Sequence, residues 1–182
     1  MPRRRILLDA CVAVNLAAAG NLEDIAGTLQ LTFVIVAQAA AEVGYLRDIV
    51  DGEPVLSPIE LTTPVTSRAL DIVELEPSEL TLYLELAALV DDGEAATIAV
   101  AIKRGIDVAT DDRRARRLCQ ERHLGEPVRT VALLHAYAHA ARLTDEQIRA
   151  VIVNVRDRAS FQPARTDPDI KWWNDYAADT SP

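Results

Sequence analysis

Aromatic residues are scarce, at 4% of 182 residues, so Ala, Leu and Val carry most of the apolar content. Cysteine is rarer still. Cys11 and Cys119 lie far apart in apolar contexts, form no CxxC pair and offer no disulfide framework, so a reducing, cytoplasmic setting is expected. Both read as small packing residues rather than metal ligands or nucleophiles. No run approaches the roughly 18 uncharged residues of a membrane span, so no membrane association is expected. The short apolar run at 6–8 follows three arginines but lacks the h-region and cleavage site of a signal peptide. Internal repeats and low-complexity blocks are also absent. Positive charge is in deficit, with 19 Lys+Arg against 28 Asp+Glu and a formal charge of -9. Phosphate binders are usually basic overall, which argues against nucleic acid. That inference stays open, because acidic residues can also be metal ligands.

What is present describes one globular unit. A chain of 182 residues matches a single domain of about 100–200 residues. Its 49% hydrophobic and 26% charged residues are an ordinary globular mixture. Residues 5–8 read as a strand ending at Asp9, 12–19 as a helix stopped by Gly20, and 22–29 as a further helical stretch. The β-branched 31–36 segment reads as a buried strand. Ala-rich 37–50 predicts a helix ended by Asp51-Gly52 and Pro54, and short extended pieces at 60–63 and 70–75 flank Pro64. Helices are predicted over 78–90 and 94–104, then a strand at 106–109 and a basic helix at 112–122. A strand at 128–131 and a helix at 133–141 come next, and Thr144-x-x-Gln147 is a capping box for a helix ending at 158. The expected domain is 1–158. Residues 159–182 form a polar, Pro-containing tail whose Trp172, Trp173 and Tyr176 would pack on the domain, on a partner copy or on RNA bases.

Strands alternating with helices, with no hairpin signal, indicate a three-layer α/β/α sandwich on a mainly parallel central sheet. Ligands of such sheets bind outside the carboxyl ends of the strands. Carboxylates stand there. Asp9 closes the first strand, and Asp111 and Asp112 follow Val108-Ala109-Thr110. Glu94 lies in the first turn of the preceding helix, and Glu42 lies inside the helix after the second strand. Crowded carboxylates cannot all stay ionised without cations, and oxygen-only donors suit Mg²⁺ or Mn²⁺. Each acid also has a plainer role: Asp9 as an N-cap, Asp91-x-x-Glu94 as a capping box, Glu42 as a solvated side chain, Asp111 and Asp112 as first-turn acids. Asn15 and Thr110 are candidate supports behind the carboxylates, and a capping or packing role for Asn15 is an equal alternative. His135 and His139 have the i, i+4 spacing of a zinc pair, but without an HExxH motif they are not taken as ligands.

Three ordered segments carry a family resemblance: Ile6-Leu7-Leu8-Asp9-Ala10-Cys11-Val12, Gly93-Glu94-Ala95-Ala96-Thr97-Ile98-Ala99, and Val108-Ala109-Thr110-Asp111-Asp112-Arg113-Arg114-Ala115-Arg116. They resemble the hallmark segments of PIN-domain proteins, and within these the VapC-like toxins and their prokaryotic relatives, over about residues 4–140. The resemblance implies a metal-dependent ribonuclease whose acids fall on Asp9, Glu42, Glu94 and Asp112, with Asp111 able to assist or replace Asp112. Two departures stand out: Ala10 replaces the frequent Thr or Ser, and Glu94 is one methylene longer than the frequent Asp. The same resemblance implies phosphodiester hydrolysis by a water activated on one or two Mg²⁺ or Mn²⁺ ions, with no nucleophilic side chain. Asp9, Glu94 and Asp112 would bind the ion, and Glu42 would orient water or bind a second ion. The implied partners are an RNA substrate, a cognate antitoxin of a type II pair and a second copy in a homodimer.

Charge is unevenly spread. From residue 42 to residue 94 there are thirteen acids and two arginines, whereas 103–122 holds seven Lys+Arg against four acids. Arg113, Arg114, Arg116 and Arg117 are therefore candidate RNA-backbone contacts, although they cannot all share one helix face. The competing reading is a non-catalytic PIN-like protein-interaction module. A phosphoryl-accepting receiver domain is disfavoured, because the first strand ends in one Asp and no Lys follows a late strand.

Overall fold

The computed structural model describes residues 3–20 and 22–178. β1 (Arg4–Leu8) leads into α1 (Ala10–Ala18) and α2 (Leu22–Thr28), and β2 (Leu31–Val36) into α3 (Ala37–Glu42). β3 (Tyr45–Val50) and β4 (Glu53–Pro58) come after, then α4 (Thr62–Thr66) and β5 (Leu70–Val73). Next come α5 (Leu80–Ala87), α6 (Asp92–Arg104), β6 (Asp107–Ala109) and α7 (Arg113–Glu121). The described chain then runs through α8 (Thr130–Ala140), α9 (Asp145–Arg158) and α10 (Ile170–Ala177). Among the described residues, no helix is long and apolar enough to cross a membrane.

The main sheet of the described residues has four strands in the order β5-β2-β1-β6, all parallel. The carboxyl-terminal parts of its central strands, residues 6–8 and 33–36, are continuously apolar because both faces are covered there. Side chains alternate across the sheet, and that alternation builds two cores. Ile6, Leu8, Phe33 and Ile35 join α1, α2, α8 and α9 on one side. On the other, Leu7, Val34, Val36 and Val108 join α5, α6 and α7. This is the expected α/β/α arrangement. Gly105, at φ +63°, ends α6 in the left-handed conformation. The adjoining Arg104 guanidinium forks onto buried Glu79 at 2.6 and 2.8 Å, tying α6 to the turn before α5. That ion pair holds the Glu79 carboxyl below its ordinary range.

Three expectations need correction. The helix predicted over 37–50 stops at Glu42, and β3 pairs with β4 as an antiparallel hairpin. Asp51 (φ +53°) and Gly52 (φ +82°) form its two-residue turn. Asp-Gly tolerates positive φ at both positions, as a type I′ turn requires, and the flanking Tyr45, Ile49, Val50 and Val55 favour strand over helix. The extended piece predicted at 60–63 is instead the approach to α4, with Pro64 inside its first turn, where a missing N–H costs little. The strand predicted at 128–131 reduces to a single parallel bridge between Ala109 and Val128, because Thr130 already begins α8. By contrast, the Thr144–Gln147 capping box forms in full. In the C-terminal segment Trp173, 1% exposed, enters the first core and packs edge-on against Phe161 at 5.5 Å.

Candidate functional site

β1 and β6 are neighbours, with Leu8 opposite Ala109, so their carboxyl ends deliver Asp9 and Thr110 side by side. The Asp9 backbone N–H donates to the Ala109 carbonyl at 3.0 Å. The Thr110 hydroxyl donates to Asp9 Oδ2 at 2.7 Å and accepts from the Asp112 backbone N–H at 3.1 Å, linking the two acids. Asp9 Oδ1 accepts from the Cys11 N–H, which makes it the N-cap of α1. Asp112 Oδ1 accepts from the Arg114 and Ala115 N–H groups and caps α7. Capping thus holds both carboxylates at the sheet edge, and helix N-termini favour negative charge there.

A second pair comes from α3 and α6. Asp91 caps α6 by accepting from the Glu94 N–H at 2.8 Å. Glu42 reaches across from α3 and accepts from the Gly93 N–H at 2.9 Å. Glycine permits this approach, since a Cβ on Gly93 would sit 2.5–2.8 Å from the Glu42 carboxyl group and push that side-chain end away. Glycine here lets two helices meet through a carboxylate.

These acids repel one another. Burial raises the Asp9 pKa first, and the charges of Asp91 and Asp111 add to it, against hydrogen bonds from Thr110 and Cys11. Glu42 is raised by desolvation and by Asp91, Asp9 and Asp92. Glu94 is pushed from 4.5 to about 8 by desolvation and by Asp112, Asp91 and Asp9. Nearby Cys11 is driven to about 12, first by desolvation and then by Asp9, Asp111, Glu94 and Asp91. Among the described residues, no Lys, Arg or His forms an ion pair with any of these acids.

Asp111 is held differently. Both its oxygens are engaged, by the Thr130 N–H and hydroxyl and by the Asn15 amide, which also donates to the Thr130 hydroxyl. Desolvation raises its pKa, as does the charge of Asp167, while these bonds lower it. Asn15 thus supports Asp111 and the start of α8. A cleft of about 530 Å³ opens beside the acids, lined by Cys11, Asn15, Glu42, Asp111 and Asp112 together with residues 159–162.

The chemistry of the donor set fits a hard divalent cation: oxygen ligands alone, excess negative charge and, among the described residues, no ion pair to a protein cation. Among the described residues, however, no group of three or more His, Cys, Asp or Glu side chains is preassembled around one point. Several of the carboxylates are spent on backbone caps. Thr97 adds a further sign of an incomplete site. Its buried hydroxyl, in a crevice that Thr97 lines together with Asp9 and Glu94, has no hydrogen-bond partner among the described residues, a condition that costs about 1–3 kcal/mol.

A family model described as a PIN domain matches residues 5–165. The chain is a PIN-domain protein. No curated protein and no solved structure gives a match. Members of this family are generally metal-dependent nucleases, a property that accords with an acid-lined sheet edge.

The basic helix of this PIN domain divides into two pairs. Arg117 is paired with Glu121 at 2.9 Å and Arg116 approaches Glu126 at 3.9 Å. Arg113 and Arg114 are exposed in the first turn of α7, immediately after Asp112, and have no side-chain partner among the described residues. Cations at a helix N-terminus oppose the helix dipole, so helix stability does not explain them. Sequence reasoning missed the contributions of Asp91, Thr97 and Thr130. Asp91 was legible only as a cap, although its charge acts on Asp9, Glu42 and Glu94. Thr97 and Thr130 gave no sequence signal of their own.

Proposed function

We propose that this PIN domain is a metal-dependent endoribonuclease that hydrolyses RNA phosphodiester bonds, and that it is the toxin of a type II toxin–antitoxin pair. The observation that carries the reading is a set of mutually repelling carboxylates, from α3, α6 and the ends of β1 and β6, that form no ion pair among the described residues. Asp9, Glu94 and Asp112 are the proposed ligands, and Glu42 orients water or binds a second ion. Asp111, fixed by Thr130 and Asn15, shapes the site and is the reserve ligand. Mg²⁺ or Mn²⁺ would lower the pKa of an attacking water and neutralise charge on the scissile phosphate. Thr110 keeps Asp9 and Asp112 in register. Arg113 and Arg114 hold the RNA backbone beside them, and Arg116 and Arg117 make weaker, outer contacts. Residues 1–158 carry this chemistry, and 159–162 help line the cleft, where an RNA strand would lie. Homodimer formation, an antitoxin partner and a cytoplasmic location belong to the same proposal.

The experiment is cleavage of a mixed-sequence, single-stranded RNA by purified protein with Mg²⁺ or Mn²⁺, with and without chelator. Cleavage that needs the ion and disappears in folded Asp9→Asn and Asp112→Asn variants supports the reading. Chelator-insensitive cleavage, or full activity in both variants, overturns it. Absence of any divalent-ion binding by calorimetry would favour the non-catalytic interaction module.

A further inference from the structure

Thr97 sits on α6 one turn after Glu94 and is 1% exposed. A helical threonine ordinarily satisfies its hydroxyl on a carbonyl one turn back. Here the hydroxyl oxygen bonds neither to that carbonyl nor to any other described group. With Asp9, Glu94 and Thr110 it lines a narrow crevice, walled by Ile98 and Val108, that leaves no room for water. Solvent therefore cannot complete its hydrogen bonding. Within the same pocket the carboxylates are unevenly served. Asp9 receives hydrogen bonds from Thr110 and Cys11, while among the described residues no side chain donates to the Glu94 carboxylate, which the Asp91 backbone helps to hold ionised. A donor lacking an acceptor and an acceptor lacking a side-chain donor thus stand three residues apart on one helix.

We propose that Thr97 is a positioning residue for the acidic site, its hydroxyl donating to the Glu94 carboxylate when the site holds a divalent cation. This rests on the metal-dependent reading above. Unlike Thr110, which already joins Asp9 to Asp112 in this structure, Thr97 is left in reserve. Loading the site supplies the condition under which its hydrogen bond forms. The hydroxyl then acts through Glu94, fixing one carboxylate rotamer, and makes no contact with RNA.

The test uses full-length protein, Mn²⁺ as the probe, and Thr97→Val and Thr97→Ser. Supporting carboxylate partners typically contribute about 10–100-fold to metal affinity. Titration calorimetry should therefore show Mn²⁺ binding weakened about tenfold or more in Thr97→Val and within about twofold of wild type in Thr97→Ser. In EDTA, Thr97→Val should melt at or above the wild-type temperature, because it removes an unpaired buried hydroxyl and keeps the shape. A purely packing role predicts the reverse pattern, with the smaller Ser the more damaging. Should Thr97→Val fail to fold, Thr97→Ala replaces it in the same comparison with Ser. Wild-type Mn²⁺ binding that Val leaves intact, or that Ser and Val weaken equally, overturns the role of Thr97 alone. Wild-type protein that binds no Mn²⁺ overturns the metal-dependent reading together with this inference.

Discussion

Glu94→Gln should stabilise the metal-free protein, and only at high pH. In the folded chain the Glu94 pKa rises from 4.5 to about 8, chiefly through desolvation and then through Asp112, Asp91 and Asp9. Between those two values the folded state holds a proton that the unfolded state releases. Stability is therefore full below about pH 4.5 and falls as pH rises, with the loss complete above about 8. At about 1.36 kcal/mol per pKa unit the shift sets a ceiling of about 5 kcal/mol. Glu94 is only partly buried, and solvent screening brings the expected effect to about 2 kcal/mol. Gln keeps the shape and carries no charge, so the variant should match wild type near pH 5 and exceed it by about 2 kcal/mol near pH 9. For a domain of this size that corresponds to about 4–8 °C in Tm. The assay is thermal unfolding in EDTA at both pH values, repeated with Mn²⁺. The ion should reverse the order by stabilising wild type more than the variant. A variant no more stable than wild type at pH 9, or equally stabilised at pH 5, refutes the reasoning.

Other consequences are as specific. Gly93→Ala would drive a methyl group into the Glu42 carboxyl, so single-turnover RNA cleavage should fall about 10–100-fold while circular dichroism stays native. Asp112→Asn keeps a good N-cap and should melt within a degree or two of wild type, yet lose cleavage. Asp111→Asn disturbs the contacts with Thr130 and Asn15 and should cost about 1–3 kcal/mol in denaturant unfolding; equal stability of the two variants would contradict their assigned roles. Cys11, exposed yet with its thiol pushed to about 12, should react with iodoacetamide at pH 8 at least about tenfold more slowly than a free thiol; fast labelling would show that the negative field is weaker than described.

Much of this was legible from local pattern. Ile6-Leu7-Leu8 and Phe33-Val34-Ile35-Val36 are apolar on successive residues, the signature of strands covered on both faces. Strand ends then pointed to Asp9, Asp111 and Asp112. The hairpin was missed because Asp-Gly followed by Pro ends a helix as readily as it turns a hairpin, and the preceding alanines favoured helix. The closeness of Glu42 and Gly93 joins positions 51 residues apart and has no local signature. Asp111 and Asp112 were indistinguishable by sequence. Their separation arises when Thr130 and Asn15 engage both oxygens of the first while the second turns to the N-terminus of α7. The capping readings of Asp9, Asp91 and Asp112 hold in the fold, and the same caps keep these carboxylates near the sheet edge.

A divalent cation at the acidic sheet edge is tested most directly by anomalous diffraction from crystals of the wild-type protein soaked in Mn²⁺. The expected result is a peak bounded by Asp9, Glu94 and Asp112 carboxylate oxygens at about 2.0–2.2 Å, with the Thr97 hydroxyl turned to Glu94. Saturating Mn²⁺ with no peak at the ends of β1 and β6, and with Asp9 and Asp112 engaged only in capping α1 and α7, would contradict it.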